Sequence, residues 1–330
     1  MKNKYILFGV KTIIAAAVAF VILNLICFFY YNLSIHSESK TGSTDYVWEQ
    51  NKFYSRGTEG FAWGKTDDNG FNNLYAVERG DIDVLVMGSS HMEAFNVAQN
   101  KSASYVLNKK FHDADIDLQV YNIGISGHTL ARCLNNAENA VKEFKPNKYV
   151  VIETSSVRPD AEDIKDAVDC DLNPIESNNR GIIGRLQKLP FLRRLYGQIK
   201  SVLGDNDNED KSADVDENFE KLLSRVVGTM EENNIQLIIV YNCAVEIDET
   251  GKVMEQQEIG PIQKFKEVCD KNDVVFVNMH QAFSDYYKDT NRLPRGFSNS
   301  DAGSGHLNRY GHEVLADELF EIICRQESER

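Results

Sequence analysis

The chain has 330 residues, enough for one or two domains, and its 42% hydrophobic and 26% charged content is ordinary for a globular protein. The net charge of -14 excludes a general nucleic-acid binder, because phosphate contacts need a basic face. Six cysteines, Cys27, Cys133, Cys170, Cys243, Cys269 and Cys324, show no CxxC spacing, so neither a zinc site nor a redox motif is expected; a disulfide framework is not expected either, although a single bridge would fit.

Residues 12–31 read "TIIAAAVAFVILNLICFFYY", without a charge and with Asn24 as the strongly polar interruption. About 20 apolar residues suffice to cross a bilayer as a helix. Lys2, Lys4 and Lys11 precede the run, and the positive-inside rule predicts that residues 1–11 stay cytoplasmic. No convincing small-residue cleavage site follows, and Ile26 spoils a lipoprotein box at Cys27, so Thr12–Tyr31 is expected to be an uncleaved single-pass anchor. The rest of the chain then lies outside the cell membrane. Residues 32–80 are polar, dotted with aromatics and nearly aperiodic, which suggests a stalk and lead-in.

From residue 81 short apolar runs alternate with amphipathic ones. Strands are predicted at 84–87, 118–123, 149–153, 237–241 and 274–278, and helices at 92–110, 129–144, 218–233, 262–271 and 312–325. The continuous apolar runs "YVVIE" and "LIIVY" suit strands buried on both faces. The expectation is α/β: a three-layer α/β/α domain over 81–330 with a five-stranded parallel sheet and an insertion at about 158–217. Within that insertion, residues 180–200 carry Arg180, Arg185, Lys188, Arg193, Arg194 and Lys200 among apolar residues at helical spacing, interrupted by Pro190. Such a stretch suits a cap helix with a solvated basic face, or contact with anionic lipid or polymer. Residues 204–217 are acidic and read as a solvated loop; Asp210 stands where a calcium loop starting at Asp205 needs glycine.

Three short stretches carry chemistry. "GSSH", Gly88 to His91, ends the first strand and opens a helix, where a serine gains a sharp turn and a nearby backbone donor. By itself that is also a routine capped helix start. "NIGISGHT" follows the second strand, and Gly127 lets a backbone N–H come close to a ligand. "HLNRYGHEVLADEL" begins at His306, which suits a general base returning to the top of the sheet, where open parallel sheets bind ligands.

In order and spacing the three stretches resemble the first, second and last blocks of the SGNH/GDSL hydrolase superfamily. The resemblance implies Ser90 as nucleophile, His306 as base, and the N–H groups of Ser90 and Gly127 as oxyanion donors. Two departures stand out. The family's third block, Gly-x-Asn-Asp, should follow the third strand, but "ETSSVRPD" has no Asn, so either Thr154, Ser155 or Ser156 supplies a third donor through a hydroxyl or none does. The family's Asp stands three residues before the His, a position held here by Gly303; Asp301, two residues further back, is the candidate acid, with a Ser–His dyad as the alternative. His91 is expected to be a helix-start residue, with an approach to the site as the alternative.

The implied activity is that of a membrane-anchored serine esterase or acyltransferase working through an acyl-Ser90 intermediate, without metal or organic cofactor. Its location suggests O-acyl groups, acetyl or D-alanyl in type, on a cell-envelope polysaccharide, teichoic acid or lipid-linked polymer. A membrane acyltransferase is a candidate protein partner. The alternative is a non-catalytic glycan-binding or accessory factor using the same cleft.

Overall fold

In a computed structural model of the chain, residues 2–33, 36–75, 77–159, 164, 189–192, 195 and 217–329 are described. The readings of 180–200 and 204–217 therefore lie almost wholly outside the described residues.

Helix α1, Lys2–Tyr30, contains the apolar run up to Tyr30 and begins among the lysines before it. It is long and apolar enough to cross a membrane, and its side chains are almost wholly exposed. The next fifty residues hold more structure than their weak periodicity suggests. Strand β1, Tyr31–Asn32, pairs antiparallel with β4, Phe53–Arg56, which pairs with β5, Ala62–Lys65. Between them β2, His36–Glu38, and β3, Tyr46–Trp48, form a separate hairpin. These strands are only two to four residues long, too short to build an alternation that can be read.

The main sheet has five parallel strands: β6 (Val84–Met87), β7 (Val120–Asn122), β8 (Tyr149–Thr154), β9 (Gln236–Tyr241) and β10 (Val275–Asn278). They lie in the order β10-β9-β8-β6-β7. Successive side chains of a strand point to opposite faces. Val84 and Val86 accordingly join one core with α3 (Ala103–Asp113), α7 (His280–Thr290) and α8 (Arg309–Glu329), built on Leu107, Phe283 and Leu319. Leu85 and Met87 join the other with α4 (Leu130–Phe144), α5 (Glu217–Glu232) and α6 (Ile259–Lys271), built on Leu134, Leu222 and Phe265. The three-layer α/β/α arrangement is thus the expected one.

Two helices differ from expectation. The helix predicted at 92–110 is broken: α2 spans only Ser90–Glu93, Ala94 turns left-handed, and α3 starts afresh after Ser102, whose hydroxyl accepts the Tyr105 N–H. Helix α7 was not anticipated, because its apolar stripe is narrow. Among the described residues Cys27, Cys243, Cys269 and Cys324 are free thiols.

The chain leaves β6 for β7 on one side and then crosses back to β8 on the other. The crevice beyond the ends of β6 and β8 is therefore the switch point of the sheet, where ligands of open α/β folds bind.

Candidate active site

At the end of β6 the two serines of "GSSH" have different duties. Ser89 caps α2: its hydroxyl oxygen accepts the His91 N–H. Its own N–H and O–H both donate to Glu153 Oε2 at 2.9 Å. Ser90 carries none of that structural work, and its Oγ lies 2.8 Å from His306 Nε2. Gly88 is required because a Cβ there would lie 2.6 Å from Glu153 Oε2.

His306 reaches Ser90 from a loop ordered by its own sequence. Asn308 is the organiser: its Nδ2 donates to the carbonyls of Leu293 and Gly296, and its Oδ1 accepts the N–H groups of Tyr310 and Gly311 at the start of α8. Gly311 lets the helix approach Pro294, whose carbonyl oxygen would be 2.2 Å from any Cβ. The His-x-Asn-x-x-Gly spacing is thus a loop clamp followed by a helix cap.

The acid on His306 is Glu59, from the loop joining β4 to β5. Its Oε2 lies 2.5 Å from His306 Nδ1, and its Oε1 accepts the His306 backbone N–H at 2.7 Å. An ionised carboxylate can only accept, so Nδ1 carries the proton and Nε2 is left to accept from the Ser90 hydroxyl. Asn299 holds the Glu59 loop, accepting the Gly60 N–H and donating to the carbonyls of Gly57 and Gly60. Gly305, left-handed at φ +73°, makes room: a Cβ there would lie 2.2 Å from Glu59 Oε1.

Asp301 is corrected accordingly. It is exposed, and the contact it offers locally is its backbone carbonyl, which accepts the Ser304 N–H. Glu59 already occupies the Nδ1 side of the imidazole, so a second carboxylate there would meet like charge.

Of the oxyanion candidates, Ser90 is the first residue of α2, and its N–H has no acceptor within that helix. Gly127 is left-handed at φ +86°, with open space where a side chain would stand. Its loop is tied to the Ser90 turn by Glu93, a fully buried carboxyl that receives the Ser126 hydroxyl and, at 2.7 Å, the Trp48 indole N–H. Burial raises the Glu93 pKa, favouring its protonated form. Ser156 is corrected too: its hydroxyl donates to the Arg158 carbonyl and accepts the Arg158 N–H, a local turn that uses it up. Thr154 likewise spends its hydroxyl on the Ser156 carbonyl, and Ser155 is exposed.

Beneath the serines, at the end of β8, lies a buried polar network. Glu153 receives Ser89 on one oxygen and the Asn242 amide on the other. Arg295 donates to the Asn242 side chain and backbone, and to the Gly305 carbonyl at 3.1 Å. Burial pushes the Glu153 carboxyl up to about 6, against the opposing pull of the Ser89 hydrogen bonds and Arg295. The network links the serine turn to the histidine loop. His91 adds a second link: its Nδ1 accepts the Leu307 N–H at 3.1 Å, and its ring lies 5.2 Å from that of His306. Burial holds its pKa down at about 2, so it stays neutral beside a base that must gain a proton. Among the described residues no group of His, Cys, Asp and Glu is arranged to hold a metal ion.

Glu59, Glu93, Glu153 and Arg295 were not singled out from sequence. Glu153 had a signal, an acid inside a strand otherwise apolar on both faces. Glu59 had little, since its partner is 247 residues away.

No family model matches the chain, and no curated protein sequence does. Solved structures align with it at low scores. A Bacillus subtilis protein of structural-genomics origin aligns at 14% identity and TM-score 0.43 over 80% of this chain, which spans 60% of that protein's length. The psychrotrophic esterase EstA from Pseudoalteromonas sp. aligns at 13% identity and TM-score 0.42, covering 74% of this chain and 98% of its own. An acetyl xylan esterase aligns at 15% and 0.42, covering 73% and 99%. Likeness at this level carries no weight for chemistry, which rests on the geometry of the site.

Proposed function

We propose that the chain is an SGNH-type serine esterase or acyltransferase acting on O-acyl groups of a cell-envelope polysaccharide, teichoic acid or lipid-linked polymer outside the cytoplasmic membrane. The observation that carries this reading is the continuous hydrogen-bonded line Ser90 Oγ–His306–Glu59. A hydroxyl bonded to an imidazole whose far nitrogen faces a carboxylate is the arrangement that activates a serine. Ser90 Oγ attacks the ester carbonyl as its proton passes to His306 Nε2. The imidazolium is stabilised by Glu59, and the tetrahedral oxyanion takes the N–H groups of Ser90 and Gly127. His306 then protonates the departing alcohol, leaving an acyl-Ser90. Water or an acceptor hydroxyl, deprotonated by His306, resolves it.

The reading as a non-catalytic factor rests on a displaced acid and a missing Asn; Glu59 answers the first, whereas the hydroxyls of Thr154 and Ser156 are engaged in local turns and do not answer the second. Hydrolysis of p-nitrophenyl acetate by the purified chain tests the proposal. Turnover that falls by about 10⁴-fold or more in Ser90→Ala supports it. Equal turnover in wild type and Ser90→Ala would sink it.

A further inference from the structure

The loop that carries Glu59 is built onto the end of α1. Ser55 of β4 donates to the Phe28 carbonyl at 2.7 Å, and Phe53 stacks on Phe28 with ring centroids 5.0 Å apart. Gly57, two residues before Glu59, lies so close that a Cβ would be 2.8 Å from the Tyr30 carbonyl oxygen. Phe53 and Ser55 therefore point toward the last turn of α1. Their cross-strand partners on β5 are Lys65 and Trp63, and directly opposed residues share a face of the sheet. Trp63 is 59% exposed and Phe61, two residues earlier on the same face, 57%; the two rings pack edge to face at 5.7 Å. An exposed Phe-Trp pair with a lysine beyond it thus continues the surface of α1 at the level of its final turn.

A second segment approaches α1 independently. The Phe191 ring packs against Phe20 at 6.1 Å, and the Phe191 N–H donates to the Asn24 side chain. Phe20 and Asn24 lie roughly 9–15 Å along the axis from Tyr30 at the helical rise. That depth is the outer half of a bilayer whose hydrocarbon core is about 30 Å thick. Nearby Leu189 and Leu195 are 40% and 42% exposed.

Resting on α1 as a membrane anchor, we infer that Phe61, Trp63 and Lys65 form a surface that seats in the lipid headgroup and acyl boundary, with Leu189 and Phe191 reaching deeper beside α1, so that the loop bearing Glu59 is docked on the bilayer. Aromatic residues concentrate at that boundary, and a lysine beside them extends its ammonium to lipid phosphates. The commitment is to lipid and not to a glycan: both segments are tied to the outer half of an apolar helix, and a sugar-stacking platform would need no such tie. The active site then works within reach of the bilayer surface.

The chain has two tryptophans, and Trp48 is buried. This makes Trp63 an internal depth probe. The full chain is to be reconstituted into nanodiscs of phosphatidylcholine and phosphatidylglycerol with acyl chains brominated near the headgroup, beside unbrominated discs, and Trp63→Phe is to be measured in parallel. The expected result is loss of about half of the Trp63 emission in brominated discs, a component missing from Trp63→Phe. Equal quenching of wild type and Trp63→Phe, or iodide access to Trp63 in discs, would overturn the proposal. Ser90→Ala should be quenched like wild type, so the result is independent of catalysis. Retention in the discs after an alkaline wash reports separately on the anchor, and failure there overturns both.

Discussion

At the scale of single residues, the site turns on which carboxylate faces His306. Glu59 holds both the ring Nδ1 and the backbone N–H of His306, whereas Asp301 is exposed. Glu59→Gln keeps the shape but presents an amide to Nδ1, and by analogy with other triads kcat should fall about 10³–10⁴-fold. Asp301→Ala should leave kcat unchanged. Steady-state hydrolysis of p-nitrophenyl acetate by both variants checks this, and the reverse order of effects would return the role to Asp301. Gly305→Ala should approach the loss of Glu59→Gln, because its Cβ would lie 2.2 Å from Glu59 Oε1. Left-handed backbone at φ +73° adds strain, so its Tm should also drop, consistent with about 1–2 kcal/mol. Activity intact in Gly305→Ala would mean the Glu59 contact is dispensable.

At the scale of elements, the ends of β6 and β8 are joined by Glu153 receiving Ser89. The Glu153 pKa is raised from 4.5 to about 6, so the folded chain binds this proton more tightly than the unfolded one. The stabilisation from protonation is fully present below pH 4.5 and is lost as pH rises through about 6. Its size is on the order of 2 kcal/mol. Glu153→Gln cannot titrate, so the stability difference between wild type and variant should shift in the wild type's favour as pH falls from 7 to 4.5. Urea unfolding at both pH values checks it; a difference independent of pH would show that Glu153 titrates normally. These elements also divide what could be read from what could not. The main strands and the Ser90, Gly127 and His306 stretches stood out because continuous apolar runs and glycine turns leave local marks. The break at Ala94 did not, since its cause is tertiary: the Asn122 Nδ2 donates to the Met92 carbonyl, and the Asn72 Nδ2 to that of Glu93. Glu59 was hidden for a similar reason, being one acid among many in an aperiodic stretch whose meaning depends on a distant loop.

At the scale of the whole molecule, the hairpin that supplies Glu59 connects the catalytic sheet to the end of α1. The end of the apolar helix and the acid of the site are thus joined in one short run of chain, from Phe28 to Lys65. In that arrangement the stalk contributes a working part of the enzyme. The central claim is that Ser90 is an activated nucleophile held so by His306 and Glu59. Its most direct test is to treat the full chain with a fluorophosphonate probe and map the adduct by mass spectrometry in wild type, Ser90→Ala, His306→Ala, Glu59→Gln and Asp301→Ala. The account predicts label on Ser90 in wild type and Asp301→Ala, none in Ser90→Ala or His306→Ala, and much slower labelling in Glu59→Gln. A folded wild-type chain that takes no label on Ser90, or takes it equally fast in Glu59→Gln, would contradict it.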